Sequence, residues 1–171
     1  MRVVGIALLA AILVVPPARV HSQQQTFTSR SEIAEFLLAA GLENARLMAD
    51  AQRAAMLPNA HHAWTLDNVI GAFGEYPLDG HSLRQVVAAE IANISLRCEG
   101  RSLSGSEPPK RIGDATLVRF AVSCESIDGT IIVHGTLVHD DIGVAFIEHA
   151  GRAAFADEIK RADYLVAATL K

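Results

Sequence analysis

The chain has 171 residues, enough for a single domain with a hydrophobic core, and its formal net charge is −4 at pH 7. Binding to phosphates needs a cationic face, and no dense run of Lys and Arg occurs anywhere in the sequence. Composition and charge therefore exclude nucleic acid as an expected partner.

Residues 1–22 have the features of an export signal peptide. Arg2 supplies a short positive region, Val3–Val15 is an uninterrupted apolar run, and Pro16-Pro17 then breaks any helix. A helix needs about 20 apolar residues to cross a bilayer. The run Val3–Val15 is shorter than that, which favours a cleaved signal over a permanent membrane anchor.

Cleavage is predicted before Gln23, because Val20-His21-Ser22 carries the small-residue pattern of a cleavage site. Removing the signal takes away Arg2 and Arg19 but no acidic residue, so the net charge of the remainder changes from −4 to −6. No later apolar stretch is long enough to span a membrane. We therefore expect residues 23–171 to form one periplasmic or secreted domain.

The first part of this domain predicts helices. Ser29 and Glu32 have the spacing of a capping box, whose side chains satisfy free backbone N–H groups at a helix start. Apolar residues recur at helical spacing up to Gly41, which is placed to end the helix. A second helix is predicted from residue 43 to residue 57, where Pro58 follows.

Residues 59–80 predict a short third helix, although Gly71 weakens this pattern. The apolar residues with helical spacing are Trp64, Leu66, Val69, Ile70 and Phe73. Ser82 and Gln85 then form another capping-box pattern, so a further helix is expected to begin here and to give way to a strand near Asn93.

From Ile94 onward the pattern changes to the two-residue repeat of half-buried strands. Ile94, Leu96 and Cys98 alternate with polar residues and predict the first strand. Residues 104–109 are rich in Ser, Gly and Pro, which predicts an exposed loop. Alternation returns over residues 118–124 and predicts a second strand.

The dipeptide Asp128-Gly129 predicts a two-residue hairpin, because a type I′ turn needs positive φ at both positions. This turn would set Cys124 opposite Val133 and Phe120 opposite Leu137. The apolar residues of both strands then share one face, so turn and pattern agree.

A second reversal at residues 140–143 would set Leu137 opposite Phe146 and add a fourth strand. A last helix is then predicted after Gly151, with one apolar stripe. The residues of this stripe are Phe155, Ile159, Ala162, Val166 and Leu170. We expect it to pack on the apolar sheet face formed by Val118, Phe120, Val122, Leu137 and Phe146.

The predicted fold class is therefore α+β: N-terminal helices, a four-stranded antiparallel β-meander, and a C-terminal helix packed on one sheet face, where all the helices gather. Cys98 and Cys124 are the two cysteines, and an oxidising compartment would allow a disulfide between them. The alternative is two buried free thiols.

The opposite sheet face is expected to carry a row of Ser123, His134 and His149 across three strands. Two neighbouring imidazoles could share a metal ion, or one could activate the serine hydroxyl. A metal would need a third ligand that the pattern does not supply, so no cofactor is predicted. The alternative is that these side chains decorate a solvated face.

Glu148 is unusual because its position in the alternation points toward the core, across from Gly135. Burial would raise the pKa of this carboxyl. The alternative is a frayed strand end that lets the side chain reach water.

Two functional hypotheses follow. The first is an exported non-enzymatic module that binds a protein or an envelope component through a sheet face or through the segment from Ser102 to Ala115. The second is a pocket-forming ligand-binding protein or small enzyme that uses His134 and His149, with Ser123 or Glu148.

Overall fold

The computed structural model describes residues 27–77, 80–140 and 143–170. The predicted signal peptide, residues 1–22, lies outside these residues. The fold is α+β, with an antiparallel sheet and a C-terminal helix packed on it. None of the helices in the described part of the chain has the length and apolar character needed to span a membrane.

The sheet has eight strands in the described residues, not the four that the sequence predicted. Their bounds are Arg46–Leu47 (β1), His62–Leu66 (β2), Val69–Pro77 (β3), Ser102–Ser106 (β4), Lys110–Ile112 (β5), Ala115–Ser126 (β6), Gly129–His139 (β7) and Gly143–Arg152 (β8). The spatial order is β1-β2-β3-β8-β7-β6-β4, and β5 pairs with β6 beyond the end of β4. Every pairing is antiparallel.

The helices cover both faces of this sheet. They are Arg30–Ala39 (α1), Asp50–Met56 (α2), Leu83–Ser95 (α3) and Ala156–Thr169 (α4), the last preceded by a 3₁₀ turn at Ala153–Phe155. The expected capping boxes are present at Ser29 and at Ser82. Helices α1 and α4 share one core with Trp64 and Ile147, whereas α3 packs with Phe120 on the opposite face.

The prediction that all helices gather on one face is therefore wrong, and so is the predicted position of the last helix. Val118, Phe120, Val122, Leu137 and Phe146 pack against α3 instead. The apolar side chains Val87 and Ile94 of α3 occupy that face. Helix α4 lies on the other face, where Trp64 and Phe73 from β2 and β3 extend the apolar surface.

One predicted helix is shorter than expected, and another is a hairpin of two strands. The segment predicted as a helix over residues 43–57 holds β1 and the shorter α2, and residues 59–80 contain the hairpin of β2 and β3. Strand β3 is central and buried on both faces, so its residues do not alternate between apolar and polar. Gly71 has a role there, because a Cβ at this position would lie 2.1 Å from the Trp64 ring.

The predicted strand from Ile94 to Cys98 is instead the end of α3 and the turn that follows it, and Leu96 is exposed to solvent. Conversely, the predicted loop over residues 104–109 contains three of the five residues of β4. This edge strand forms from small polar residues because it pairs with the long strand β6.

The β6–β7 hairpin is paired two residues away from the predicted register. Cys124 faces Ile131 and Val122 faces Val133, because the loop consists of Ile127 and Asp128. A shift of two residues keeps every side chain on its predicted face. The β7–β8 register is as predicted, with Leu137 opposite Phe146.

Candidate functional site

The predicted row of polar residues is only partly formed. His134 lies directly opposite His149, as the β7–β8 turn indicated. Ser123 faces Ile132, and Ala121 occupies the position opposite His134. The two-residue change in register therefore removes the serine from the predicted pair of histidines.

This sheet face is not solvated, because α4 covers it. Asp163 of α4 is 1% exposed and accepts hydrogen bonds from Arg119 Nη2 at 2.9 Å and from Thr136 Oγ1 at 3.0 Å. Burial raises the pKa of Asp163, and the bonds from Arg119 and Thr136 oppose that change. The three residues join the helix to β6 and β7.

His149 lies deep in the core beneath α4. Its side chain is fully buried, and its ring centroid is 5.5 Å from that of Trp64 in an edge-to-face arrangement. Among the described residues no group is within hydrogen-bond distance of either ring nitrogen. Burial, with a smaller contribution from His134, lowers the pKa of His149 to about 3, so the ring is neutral at pH 7.

His134 is only half-buried, and burial lowers its pKa as well. Two neutral imidazoles are competent metal ligands, but a site also needs further donors. In the part of the chain that the structure describes, no group of three or more His, Cys, Asp or Glu side chains is arranged to hold a metal ion.

A second group of ionisable residues lies on the opposite face, beneath α3. Glu148 sits across from Gly135, as the sequence indicated, with Ala72 on its other side. It belongs to the middle of β8 and is paired on both sides, so the strand end is not frayed there, although the residue is partly exposed. Glu90 of α3 approaches it and is itself 4% exposed.

Tyr76 completes this group by donating a hydrogen bond to Glu90 Oε2 at 2.7 Å. Burial, followed by the negative charge of Glu90 and a hydrogen bond with it, raises the pKa of Glu148 well above its ordinary value. Burial and the bond to Glu90 also raise the pKa of Tyr76. Tyr76, Glu90 and Glu148 therefore form one group of acidic side chains beneath α3.

A small cavity opens beside these carboxyl groups. Its volume is about 20 Å³, room for about one water molecule. The lining residues are Leu57, Pro58, Asn59, Ala60, Ala72, Tyr76, Glu90, Arg97, Phe146 and Glu148. Pockets that enclose a whole small-molecule substrate measure some hundreds of Å³. The cavity is therefore the size of one functional group.

Cys98 and Cys124 lie near the end of α3 and on β6. Their sulfur atoms are at bonding distance, and their Cα atoms are 5.4 Å apart, within the usual range for a disulfide. Cys98 follows α3 in a turn and is not on the predicted strand. The pair fastens the C-terminal end of α3 to the sheet.

Strand β4 ends the sheet on one side. The backbone N–H of Glu107 donates a hydrogen bond to the backbone carbonyl of Arg119, and the backbone N–H of Glu125 donates one to the backbone carbonyl of Arg101. Hydrogen-bonded and non-hydrogen-bonded pairs of residues alternate along an antiparallel ladder. The backbone N–H and C=O groups of the odd-numbered residues of β4 therefore point toward β6. The backbone N–H and C=O groups of Ser102, Ser104 and Ser106 therefore point away from the sheet, and no described strand pairs with them.

Two apolar grooves flank the end of this edge, one on each sheet face. The groove beside α4 has a volume of about 520 Å³ and is lined by Glu107, Pro108, Lys110, Arg111, Ile112, Leu117, Arg119, Tyr164, Ala167 and Ala168. The groove beside α3 measures about 430 Å³ and is lined by Leu83, Arg84, Val87, Ser106, Glu107, Pro108, Pro109 and Val118. The segment from Ser106 to Pro108 separates them.

No protein-family model matches this chain, and no curated protein matches it in sequence. Among solved structures, the crystal structure of the Ran-binding protein Mog1p from Saccharomyces cerevisiae is similar with a TM-score of 0.45 and 10% sequence identity. The similarity covers 75% of this chain and 82% of that chain. Ran binding is a property of Mog1p, and so distant a likeness does not transfer it.

Sequence reasoning found Glu148 and the pair His134 and His149, but missed Tyr76 and Glu90 as partners. Tyr76 lay in a segment assigned to a helix. Glu90 lies at helical spacing between the buried residues Val87 and Ile94, and a carboxylate on this apolar stripe of α3 is the signal that indicates a buried partner. A strand assignment for β3 would have placed Tyr76 and Ala72 on the same face as Glu148.

Proposed function

We propose that this protein is an exported, non-enzymatic binding module that takes an extended segment of a partner protein along the open edge of β4. The observation that carries this proposal is the outward-facing backbone of Ser102, Ser104 and Ser106. A peptide that adds a strand to a sheet edge gains affinity from main-chain hydrogen bonds and specificity from pockets for alternate side chains.

The grooves on either side of the edge support this mode of binding. Side chains of a strand point alternately to the two faces, so a bound segment that continues past Ser106 would place successive side chains in the α3 groove and the α4 groove. Leu103 is 67% exposed beside the same edge and offers a further apolar contact.

Charge around the edge favours an acidic partner segment. Arg101, Lys110 and Arg111 supply the positive charge of residues 101–119, because Arg119 is paired with Asp163 and with Glu107. Asp114 is the other acidic residue of this segment. The predicted mature chain as a whole is negative. A local excess of positive charge within a negative protein would steer the approach of acidic apolar segments to this edge.

The enzymatic hypothesis has less support. His149 is enclosed between Trp64 and α4, away from solvent, and Ser123 is not its neighbour or that of His134. Export is supported by the signal-peptide pattern of residues 1–22 and by the cysteine pair at bonding distance, which suits an oxidising compartment.

The edge can be tested with a proline substitution that spares the fold. Peptides selected from a random display library on the wild-type protein would be measured for affinity by fluorescence anisotropy. Ser104→Pro removes an outward N–H that β6 does not use, and edge strands tolerate proline at such positions. We expect at least about a ten-fold loss of affinity, because a peptide carbonyl is left without its donor.

Ser104→Ala is the matched control, since it changes the side chain and keeps the backbone N–H, and its affinity should stay within about two-fold of wild type. Amide hydrogen exchange should slow at Ser104 when peptide binds. Equal affinity of the wild-type and Ser104→Pro proteins, or failure to select any peptide, would refute the proposal.

A further inference from the structure

The hydrogen-bonding edge of β4 stops at a pair of prolines. Its outward N–H groups belong to the even-numbered residues, of which Ser106 is the last in the strand. The next even-numbered residue is Pro108, which has no N–H group, and Pro109 follows it. A segment added along β4 therefore loses its hydrogen-bond donor just beyond Ser106, where strand pairing has to end.

The groove beside α4 lies at this end of the edge and carries unpaired positive charge. Lys110 lies opposite Leu117 in the pairing of β5 with β6. Leu117 is two residues from Arg119, whose side chain binds Asp163 of α4, so alternation along the strands puts Lys110 on the α4 face. Lys110 and Arg111 both line the groove, and neither takes part in an ion pair within the described residues.

The other cation of this groove is already neutralised. Arg119 Nη2 lies 2.9 Å from Asp163 Oδ2, and its Nη1 lies 3.8 Å from Glu107 Oε1. Its guanidinium carbon is 5.6 Å from the centroid of the Tyr164 ring, so the two side chains form one wall. Glu107 is the one acidic residue in the lining, and it faces Arg119. The charge left open to a ligand is therefore positive.

The rest of the groove is apolar. Ile112 and Leu117 contribute surface from the sheet, and Ala167 and Ala168 contribute it from α4. The volume of about 520 Å³ is in the range of ligand pockets and has room for a whole leucine or phenylalanine side chain. A ligand that suits this groove therefore needs an apolar body and an anionic group close together.

A single amino-acid residue combines these properties only at the end of a chain. The side chains of Asp and Glu carry the charge but little apolar surface. An apolar C-terminal residue carries both, because its α-carboxylate is attached to the same residue as its side chain. Capture of a C-terminal carboxylate is an established mode of peptide recognition.

We propose that the partner segment bound at β4 ends in a free C-terminus. Its last side chain is apolar and lies in the groove beside α4, and its α-carboxylate faces Lys110 and Arg111. This proposal rests on the peptide binding at β4 proposed above, and it adds the chemistry of the end of the segment and the direction in which it runs.

The two cations decide that direction. A segment with its C-terminus near Ser106 runs parallel to β4. A segment in the opposite direction would bring an α-ammonium group to Lys110 and Arg111, or would have to continue past Pro108 without a donor. Charge complementarity therefore favours the parallel arrangement, although parallel pairs are slightly less stable per residue.

The residue before the C-terminal one is expected to be apolar as well. Successive side chains of a strand point to opposite faces, so this residue faces the groove beside α3. Leu83, Val87 and Val118 line that groove. The last two residues of the segment therefore occupy the two grooves.

Fluorescence anisotropy with a defined peptide tests carboxylate capture. The probe is the heptapeptide Ser-Thr-Ser-Thr-Ser-Val-Leu with fluorescein at its N-terminus and a free C-terminus, and its matched control is the same peptide with a C-terminal amide. We expect saturable binding of the free acid and about a ten-fold lower affinity of the amide, because two exposed ion pairs together are worth about a factor of ten. Equal affinities of acid and amide, or no saturable binding of the free acid, would overturn the proposal.

A third peptide separates a terminal carboxylate from an acidic side chain. It has Glu in place of the last Leu and a C-terminal amide, so it keeps the negative charge and loses the apolar body. We expect it to bind no better than the amide that ends in Leu. Binding comparable to that of the free acid would show that any acidic residue suffices and would overturn the proposal.

Lys110→Gln removes one of the two cations from an exposed position. We expect the affinity for the free acid to fall by about three-fold to five-fold and the affinity for the amide to stay unchanged, since amidation and the substitution remove the same interaction. Lys160→Gln changes the net charge equally at an exposed position of α4 outside the groove and should bind both peptides like wild type. Thermal melting would verify that both variants are folded. Wild-type affinity of Lys110→Gln for the free acid, or equal weakening by Lys160→Gln, would contradict the proposal.

Ser104→Pro distinguishes failure of the carboxylate site from failure of the β4 edge. If the edge holds the segment, this variant should weaken acid and amide alike, by at least about ten-fold. Weakening of both peptides with no preference for the free acid would overturn carboxylate capture and leave the edge in place. Equal affinity of wild type and Ser104→Pro for the free acid would refute the edge itself, and with it the strand direction proposed here.

Discussion

Asp163 and His149 show two ways of burying a polar side chain under the same helix. Asp163 accepts hydrogen bonds from Arg119 and Thr136, so its burial is compensated. His149 has no such partner in the described residues, and its neutral ring packs against Trp64. Protonating this ring would place an unpaired charge in the core, which the fold disfavours strongly.

His149 should therefore make the protein sensitive to acid. Its pKa is about 3 in the folded state and about 6.5 in the unfolded chain, so its contribution to stability is complete above pH 6.5 and is lost as the pH falls toward 3. Leucine has a similar volume and does not ionise. We predict that the free energy of unfolding of His149→Leu rises relative to that of wild type by about 1.4 kcal/mol for each pH unit below 6.5.

Urea denaturation of both proteins from pH 7 to pH 4 measures this difference. His81→Gln alters an exposed histidine and should leave the difference from wild type constant across the range. A constant difference between His149→Leu and wild type would show that burial of the imidazole does not control acid stability.

Among the elements, the β6–β7 hairpin depends on one glycine. Gly129 has a φ of 114°, in a region that other residues rarely adopt, and a Cβ there would contact nothing within 4 Å. Gly129→Ala should therefore destabilise the fold through backbone strain alone, by about 1 to 2 kcal/mol.

Gly105→Ala on β4 is the matched substitution. Its added Cβ also meets nothing within 4 Å, and its φ is not positive, so its stability should equal or slightly exceed that of wild type. Chemical denaturation would compare the two variants. Equal stabilities would mean that the turn relaxes to accept the alanine at no cost.

The sequence predicts elements well where polar and apolar residues alternate along a strand or where a helix is amphipathic. Strands β6, β7 and β8 and the last helix were located from alternation and helical spacing, and the β7–β8 register from its turn. Strand β3 was missed because it is buried on both faces, which removes the period of two. Strand β4 was missed because Ser, Gly and Pro are common in turns, and only its pairing with β6 makes it a strand.

For the candidate sites, sequence reasoning identified single residues better than their partners. It placed Glu148 toward a core because strand alternation fixes direction, but Glu90 comes from a helix 58 residues earlier in the chain. Such a contact depends on which face α3 covers. The sequence predicts that α4 covers this face, because it does not show the apolar surface that β2 and β3 add to the other face.

At the scale of the whole molecule, export and cysteine pairing can be measured together. Intact mass spectrometry of protein recovered after export should give a chain that begins at Gln23. An alkylating reagent should add no label before reduction and two labels after it, because both thiols are held in one disulfide.

Removal of the disulfide should lower the free energy of unfolding by about 2 to 4 kcal/mol. The double variant Cys98→Ala, Cys124→Ala should take no label, and its stability should not change when dithiothreitol is added. Two labels on the unreduced wild-type protein would contradict the pairing. A mass that includes residues 1–22 would contradict cleavage of the predicted signal.

Strand β8 carries Glu148 and His149 as neighbours that point to opposite faces, and their proton preferences are opposite as well. The carboxyl favours folding in its protonated form and loses that contribution as pH rises above about 4.5, whereas the imidazole loses its contribution as pH falls below about 6.5. As the pH rises above about 4.5, the two contributions therefore change in opposite directions. Two adjacent residues on one strand thus partly offset each other's effect on the stability of the domain under mildly acidic conditions.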